Sequence, residues 1–283
     1  MRTLFETGSK PQYGIIGYGV VGSAIGSGFI ANSVNSWVYD VKKHPDLCVP
    51  WVHHTRAIFV CVNTPAKGYG YDMTNINKVL SLLCDLKYKG LVILISTMGV
   101  NEYKMLRYRF IHRAFNLIVC PEFLTEKNAA SDFYNQTDIV YGPWTNKAID
   151  DTFKKTLRNC KTQTTPIVFN RKSAEECLLI KTGKNLSLFI KLMAANLVYN
   201  EAVHHGISSK QAQSIVDYIH LDPRLNTLTN YNKIGCHENT MGVAGTCLPK
   251  DVKGKVYSVD EPKVSGALIA LSRLNEFFRT KSV

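Results

Sequence analysis

Three groups of residues carry types and spacings suited to chemistry. The first is Gly17-Tyr18-Gly19-Val20-Val21-Gly22, a G-x-G-x-x-G run directly after the apolar segment Tyr13 to Ile16. In such a run the first glycine allows a tight turn and the second lets a pyrophosphate approach a helix N-terminus. The third lets that helix pack closely on the strand. A second apolar segment, Trp37 to Tyr39, leads into Asp40, 18 residues after Gly22, where a carboxylate would accept hydrogen bonds from ribose hydroxyls. Asp40 would repel a 2′-phosphate, so the pattern favours NAD over NADP.

The second group is Gly242-Val243-Ala244-Gly245-Thr246-Cys247-Leu248-Pro249-Lys250-Asp251. Lys250 would favour the thiolate of Cys247 electrostatically, and the thiolate is the nucleophile. A buried structural cysteine is the alternative reading of the same residue. The third group is Lys181 and Asn185, four apart within a helical pattern and so on one face. Read from spacing alone, the alternative is a snorkelling lysine beside a surface asparagine.

The elements that would position these groups follow from periodicity. Apolar runs at 57–62, 91–96, 116–120 and 138–142, with helical patterns after Thr74 and near 101–110, predict a doubly wound, Rossmann-like α/β domain with a parallel sheet covered on both faces. The polar ends of those runs, Asn63-Thr64-Pro65, Ser96-Thr97 and Pro121-Glu122, would fall along the crevice where such sheets bind ligands. A helix over 147–157 and a strand over 166–169 follow. Ser173 and Glu176 form a capping box that opens a helix running to His205 and stopping at Gly206. Its apolar positions, among them Leu178, Leu186, Phe189, Met193 and Leu197, suit a domain spine or a subunit interface. The expected division is a dinucleotide-binding domain over 1–170 and a helical domain over 171–283.

Composition narrows the classes. At about 150 residues per domain, 283 residues make two domains, and 45% apolar with 20% charged residues excludes disorder, collagen and a disulfide mini-protein. No stretch approaches the roughly 18 to 20 uninterrupted apolar residues of a membrane helix, the longest helical run being broken by Lys191. The first ten residues lack the apolar core of a signal peptide, so a cytoplasmic location and eight reduced cysteines are expected. The net charge of +12 implies an anionic partner, but it is spread over both halves and no nucleic-acid module is legible. Phosphates of small ligands fit better. His53-His54 and His204-His205 have no accompanying Cys/His cluster, so no metal site is expected.

Taken together, PEFLTE (121–126), Lys181-x-x-x-Asn185 and GVAGTCLPKD (242–251) resemble the UDP-glucose/GDP-mannose dehydrogenase family, over about residues 12 to 275. The resemblance implies NAD-dependent four-electron oxidation of a nucleotide sugar, most simply UDP-glucose, from the C6 alcohol to the carboxylate. It implies Cys247 as the nucleophile that captures the C6 aldehyde, and Glu126, helped by Thr97, as general base for hydrolysis of the thioester. Lys181 and Asn185 would stabilise the oxyanion, and Asp251 would assist proton removal from the alcohol. Glu122, Phe123, Leu124, Glu126, Lys181, Asn185, Arg224, Tyr231, Gly242, Gly245 and Cys247 would line the substrate. Gly17, Tyr18, Gly19, Val20, Val21, Gly22, Asp40, Val62, Thr64, Pro65, Ser96, Thr97, Glu126 and Lys250 would line NAD. A homodimer through the long helix is implied as well.

The chain departs from the family pattern at Ala244, where a glycine is expected, and around LDPRLNTLTNYNKIGCHENTMG, where either Arg224 or Lys233 takes the place of the family's arginine. It also stops short of the family's third, nucleotide-covering domain. GDP-mannose or a UDP-N-acetylhexosamine is the alternative substrate. A binding or assembly protein that kept the NAD fold is the alternative from another class, and a two-electron β-hydroxyacid dehydrogenase would leave Cys247 and PEFLTE without a role.

Overall fold

The computed structural model describes residues 2–3, 10–46, 49–110, 116–144, 149–162, 164–222, 225, 234, 240–245 and 247–282. In chain order the elements are β1 (Arg2–Thr3), β2 (Tyr13–Ile16), α1 (Val20–Ala31), β3 (Ser36–Tyr39), α2 (Val49–His54), β4 (Ala57–Val60), β5 (Ala66–Lys67), β6 (Gly70–Tyr71), α3 (Thr74–Asp85) and β7 (Leu91–Leu94). There follow α4 (Val100–Phe110), β8 (Asn116–Val119), α5 (Ala129–Asn135), β9 (Asp138–Pro143), α6 (Asp150–Arg158), β10 (Val168–Arg171), α7 (Ala174–His204), α8 (Ser209–Ile219), α9 (Leu248–Tyr257) and α10 (Pro262–Phe278). The chain forms two compact units, residues 1–65 with 71–181, and residues 66–70 with 182–283.

The first unit is built on an eight-stranded sheet of order β1-β3-β2-β4-β7-β8-β9-β10. Its five central strands are parallel and start in register, Tyr13 opposite Ser36 and Ala57, Ala57 opposite Leu91, and Leu91 opposite Asn116. Successive residues of each strand face opposite sides. Ile16, Ile58, Val60, Val92, Leu94, Leu117 and Val119 pack with side chains of α2, α3 and α4. Ile15, Ala57, Phe59, Leu91, Ile93 and Ile118 pack with α1, α5 and α6. Strands buried on both faces must be apolar throughout, and each of these large side chains stabilises the fold by roughly 1.5 to 3 kcal/mol.

The doubly wound α/β fold is the one the alternation of patterns predicts, with differences toward both edges: β1 pairs antiparallel with β3, Arg2 opposite Val38. The strand at 138–142 joins antiparallel to β8, Ile118 opposite Pro143, and β10 then pairs parallel with β9. Between β8 and β9 the main helix, α5, has only seven residues, about 10 Å, too short to carry the chain back along the sheet for a parallel return. The short elements α2, β5 and β6 had no periodic signature.

Burial in this unit sets an alkaline limit. Desolvation pushes the thiols of Cys120, Cys160 and Cys177 up to about 12. Their stabilising effect is therefore full below the unfolded thiol value of 9.0 and is lost as the pH rises toward 12. Lys161 acts in the opposite sense. Burial lowers its amine to about 8, so it adds stability as the pH rises from there to 10.5. Three thiols against one amine predict a melting temperature that falls between pH 9 and pH 11, and a flat profile by circular dichroism would contradict this.

The second unit holds α8, α9, α10 and most of α7, with Phe189, Met193, Tyr199, Val216, Val252, Leu268 and Phe278 in its core. Residues 66–70 also belong to it, and the N–H of Tyr257 donates to the carbonyl of Tyr69 at 3.1 Å. The capping box that opens α7 is formed in both directions, Ser173 N–H to Glu176 Oε2 at 2.7 Å and Glu176 N–H to Ser173 Oγ at 3.1 Å. By length and composition alone α7 would suffice to cross a membrane. It also carries buried Lys181, Asn185 and Asn196, and its Phe189, Met193 and Tyr199 pack in the core of the second unit.

Candidate functional site

In the first unit the glycine run sits at the end of β2 and opens α1. Gly17 has a φ of +91°, and a Cβ there would come within 2.8 Å of the Cys61 backbone. A Cβ on Gly22 would lie 2.0 Å from the Gly17 carbonyl oxygen, whereas one on Gly19, the N-cap of α1, would meet nothing within 4 Å. No acidic side chain occupies the first turn of α1. This open cradle at a helix N-terminus suits an anionic pyrophosphate.

Asp40 sits beside this turn and braces it. Its Oδ2 accepts the Tyr18 N–H at 2.7 Å, and its Oδ1 accepts the N–H groups of Lys42 and Lys43 at 2.9 and 3.0 Å. Lys43 Nζ in turn donates to the Tyr18 carbonyl at 3.0 Å. Partial burial works against ionisation of Asp40, but these N–H groups and the Lys43 ammonium outweigh it and hold the carboxyl below its ordinary value. Oδ2, which accepts one N–H where Oδ1 accepts two, keeps a second lone-pair direction for a ribose hydroxyl.

Along the same sheet edge, the ends of β4 and β7 are tied together. Ser96 Oγ donates to the Val62 carbonyl at 2.7 Å, and Thr64 Oγ1 donates to the Thr97 carbonyl at 2.6 Å. Pro65 is exposed and Thr97 half-buried. After β8 comes PEFLTE. Glu122 accepts the Leu124 N–H at 2.7 Å through Oε2 and forms an ion pair with Lys181 at 3.1 Å through Oε1. Lys181 is only 6% exposed, with its Nζ 5.6 Å from the centroid of the Phe123 ring. Glu126 is exposed at the start of a short 3-10 helix.

In the second unit Asn185, 6% exposed, donates to Asp251 Oδ2 at 2.5 Å, and Asp251 is 1% exposed. Lys250 Nζ lies 3.5 Å from Asp251 Oδ1. Cys247 is exposed and is the N-cap of α9, its carbonyl accepting the Asp251 N–H at 3.0 Å. The N-terminal end of a helix favours negative charge, which is where a thiolate is needed. Upstream, Gly242 and Gly245 take φ values of +85° and +81°.

The structure thus joins Glu122 to Lys181, Asn185 to Asp251, and Tyr18 to Asp40 as direct contacts, where sequence spacing establishes only proximity along helix or strand. Arg224, Tyr231 and Lys233 lie outside the described residues. Among the described residues no group of three or more His, Cys, Asp or Glu is arranged to hold a metal ion. Asp132, which accepts both the N–H and the hydroxyl of Thr125, and Asn196 and Asn275, which bond the loop before Cys247, carried no local signal because their partners are distant in sequence or specified by backbone.

A glycine-lined turn from strand to helix, a strand-end aspartate bracing it and a crevice at the C-terminal ends of parallel strands define a dinucleotide-binding domain. Residues 49–159 match the family model described as the UDP-glucose/GDP-mannose dehydrogenase family, NAD binding domain. Over these residues the chain is similar to that family's NAD binding domain, which makes NAD the cofactor. It is 28% identical over 203 residues to the UDP-glucose 6-dehydrogenase of Rickettsia bellii, an alignment covering 70% of this chain and 44% of that protein. It is 26% identical over 231 residues to the GDP-mannose 6-dehydrogenase of Pseudomonas aeruginosa, covering 77% and 50%. A UDP-glucose dehydrogenase structure from Pyrobaculum islandicum shares the fold, with a TM-score of 0.75 at 21% identity, over 96% of this chain and 69% of that one. The chain spans about half the length of the curated relatives it matches.

Proposed function

We propose that the protein is an NAD-dependent nucleotide-sugar 6-dehydrogenase that converts UDP-glucose to UDP-glucuronate. The observation that carries this reading is the buried Asn185–Asp251 pair, four residues beyond a solvent-exposed cysteine at a helix start. A two-electron alcohol dehydrogenase needs no nucleophile, whereas a four-electron one must hold its aldehyde without releasing it. Bound NAD⁺ accepts one hydride in each of the two oxidations.

The residues of the chain do the rest. Asp251, with a water, takes the proton from the C6 hydroxyl as the first hydride leaves. Lys181, which keeps donors beyond the one given to Glu122, and Asn185 stabilise oxyanion character at C6. Cys247 Sγ adds to the aldehyde to give a thiohemiacetal, and loss of the second hydride leaves a thioester. Glu126, helped by Thr97, deprotonates water for attack on that thioester, which releases the carboxylate and the Cys247 thiolate. One alcohol, two NAD⁺ and one water thus give a carboxylate, two NADH and three protons.

The exposed side chains of Ile190, Leu197 and Val203 on α7 support a homodimer through that helix. Free thiols at Cys61, Cys120, Cys160 and Cys177 suit the cytoplasm. Supplying UDP-glucose and NAD⁺ to the purified chain is expected to yield two NADH and one carboxylate per sugar, read by absorbance and mass spectrometry. No NADH above background would remove the claim. GDP-mannose is the second reading, favoured by the similarity to the Pseudomonas enzyme, and a substrate panel including a UDP-N-acetylhexosamine separates the two.

A further inference from the structure

The segment leading into Cys247 is held from outside by side chains that the chemistry above does not use. Asn275 on α10 grips Val243 twice, its Oδ1 accepting the Val243 N–H at 2.6 Å and its Nδ2 donating to the Val243 carbonyl at 3.1 Å. Asn196 on α7 accepts the Gly242 N–H at 2.6 Å while its own amide donates to the Leu192 carbonyl at 2.8 Å. These asparagines are 5% and 2% exposed and Val243 is buried, so the two bonds between Asn275 and Val243 are shielded from water. The preceding residues are tied to the chain after α10. Met241 N–H donates to the Lys281 carbonyl at 3.0 Å, Thr240 bridges Ser282, and Arg279 donates to the Thr240 hydroxyl.

We propose that Asn275, seconded by Asn196, is a positioning residue for Cys247. An asparagine side chain presents one acceptor and one donor in a plane, so it pairs with a residue's N–H and carbonyl as a neighbouring strand would. Val243 is thereby fixed four residues before the cysteine, and α9 fixes the cysteine from the other side. Only Ala244, Gly245 and Thr246 lie between these two anchors. A β-carbon on Gly242 would come 2.9 Å from Asn275 Oδ1, so the glycine at that position is what lets the clamp close. The substitution Asn275→Asp keeps the acceptor but removes the donor, turning one of the two bonds into a repulsion. This inference rests on the reading of Cys247 as nucleophile, yet the clamp itself has a readout independent of turnover.

The test compares the full-length chain with Asn275→Ala, Asn275→Asp and, as a control at an equally buried position on the same helix, Ser272→Ala. Hydrogen exchange of the peptide containing 240–247, alkylation of Cys247 by iodoacetamide, and steady-state kinetics are read in parallel. Both Asn275 variants are expected to exchange that peptide at least tenfold faster, to change the Cys247 alkylation rate at least fivefold, and to lose kcat at least tenfold with KM within about twofold. Ser272→Ala is expected to match the parent. Unchanged exchange and alkylation in both Asn275 variants would overturn the clamp, whatever the activity. Should neither variant fold, rapid exchange of the Gly242 and Val243 amides in the parent protein overturns it, and slow exchange there supports it. A parent with no turnover but with the exchange and alkylation changes removes the proposed activity and leaves the clamp standing.

Discussion

Replacing Cys247 with alanine is expected to lower steady-state NADH formation from UDP-glucose by at least about a thousandfold, in line with the loss of other nucleophiles that act by forming a covalent intermediate. The expectation rests on where the chain puts this cysteine. Cys120, Cys160 and Cys177 are buried in the first unit with their thiols pushed up, whereas Cys247 is exposed and is the N-cap of α9. Because its side chain is exposed and buries little apolar surface, the substitution should leave the melting temperature within a few degrees. NAD⁺ affinity should be unchanged as well, since the glycine turn and Asp40 are not altered. Retention of more than a tenth of the parent rate would exclude a covalent role for Cys247.

The second large effect concerns two glycines three residues apart whose substitutions should both weaken NAD⁺ binding but differ in their effect on stability. Gly19→Ala adds a methyl group that meets no protein atom within 4 Å, so the fold should tolerate it. That space is where the pyrophosphate has to approach the start of α1, so the affinity for NAD⁺ should fall at least about tenfold, or roughly 1.4 kcal/mol. Gly22→Ala puts a methyl carbon 2.0 Å from the Gly17 carbonyl oxygen, an overlap that backbone must relieve. A cost of roughly 1 to 3 kcal/mol, a melting temperature lower by several degrees and loss of NAD⁺ binding together are expected. Calorimetry with NAD⁺ alongside thermal melts separates the cases. If Gly19→Ala bound NAD⁺ as tightly as the parent, the cofactor would not approach the chain at this turn.

Much of the first unit was legible because its physics is local. Strands buried on both faces must be continuous apolar runs, and those at β2, β4, β7 and β8 are visible as such. The capping box of Ser173 and Glu176 fixes a helix start from four residues. The orientation of β9 was not legible, since the same apolar run serves either direction and the choice lies in the length of the connection before it. The pairing of Lys181 with Glu122 joins residues 59 apart, and that of Asn185 with Asp251 joins residues 66 apart. Helix spacing put Lys181 and Asn185 on one face but could not name what each would meet. Asn196 and Asn275 were missed for a further reason. They bind backbone, so no complementary side chain elsewhere in the sequence betrays them.

The assignment of residues 66–70 to the second unit has a consequence for how the protein is made. This short segment emerges from the ribosome 188 residues before Tyr257, whose N–H donates to the carbonyl of Tyr69. At the usual pace of synthesis that is a wait of roughly 10 to 40 s. During that interval the first unit can complete its sheet while the second lacks its final helices. Residues 182–283 produced alone would be short of a piece of their own unit, so cutting the chain at one point cannot yield both parts whole.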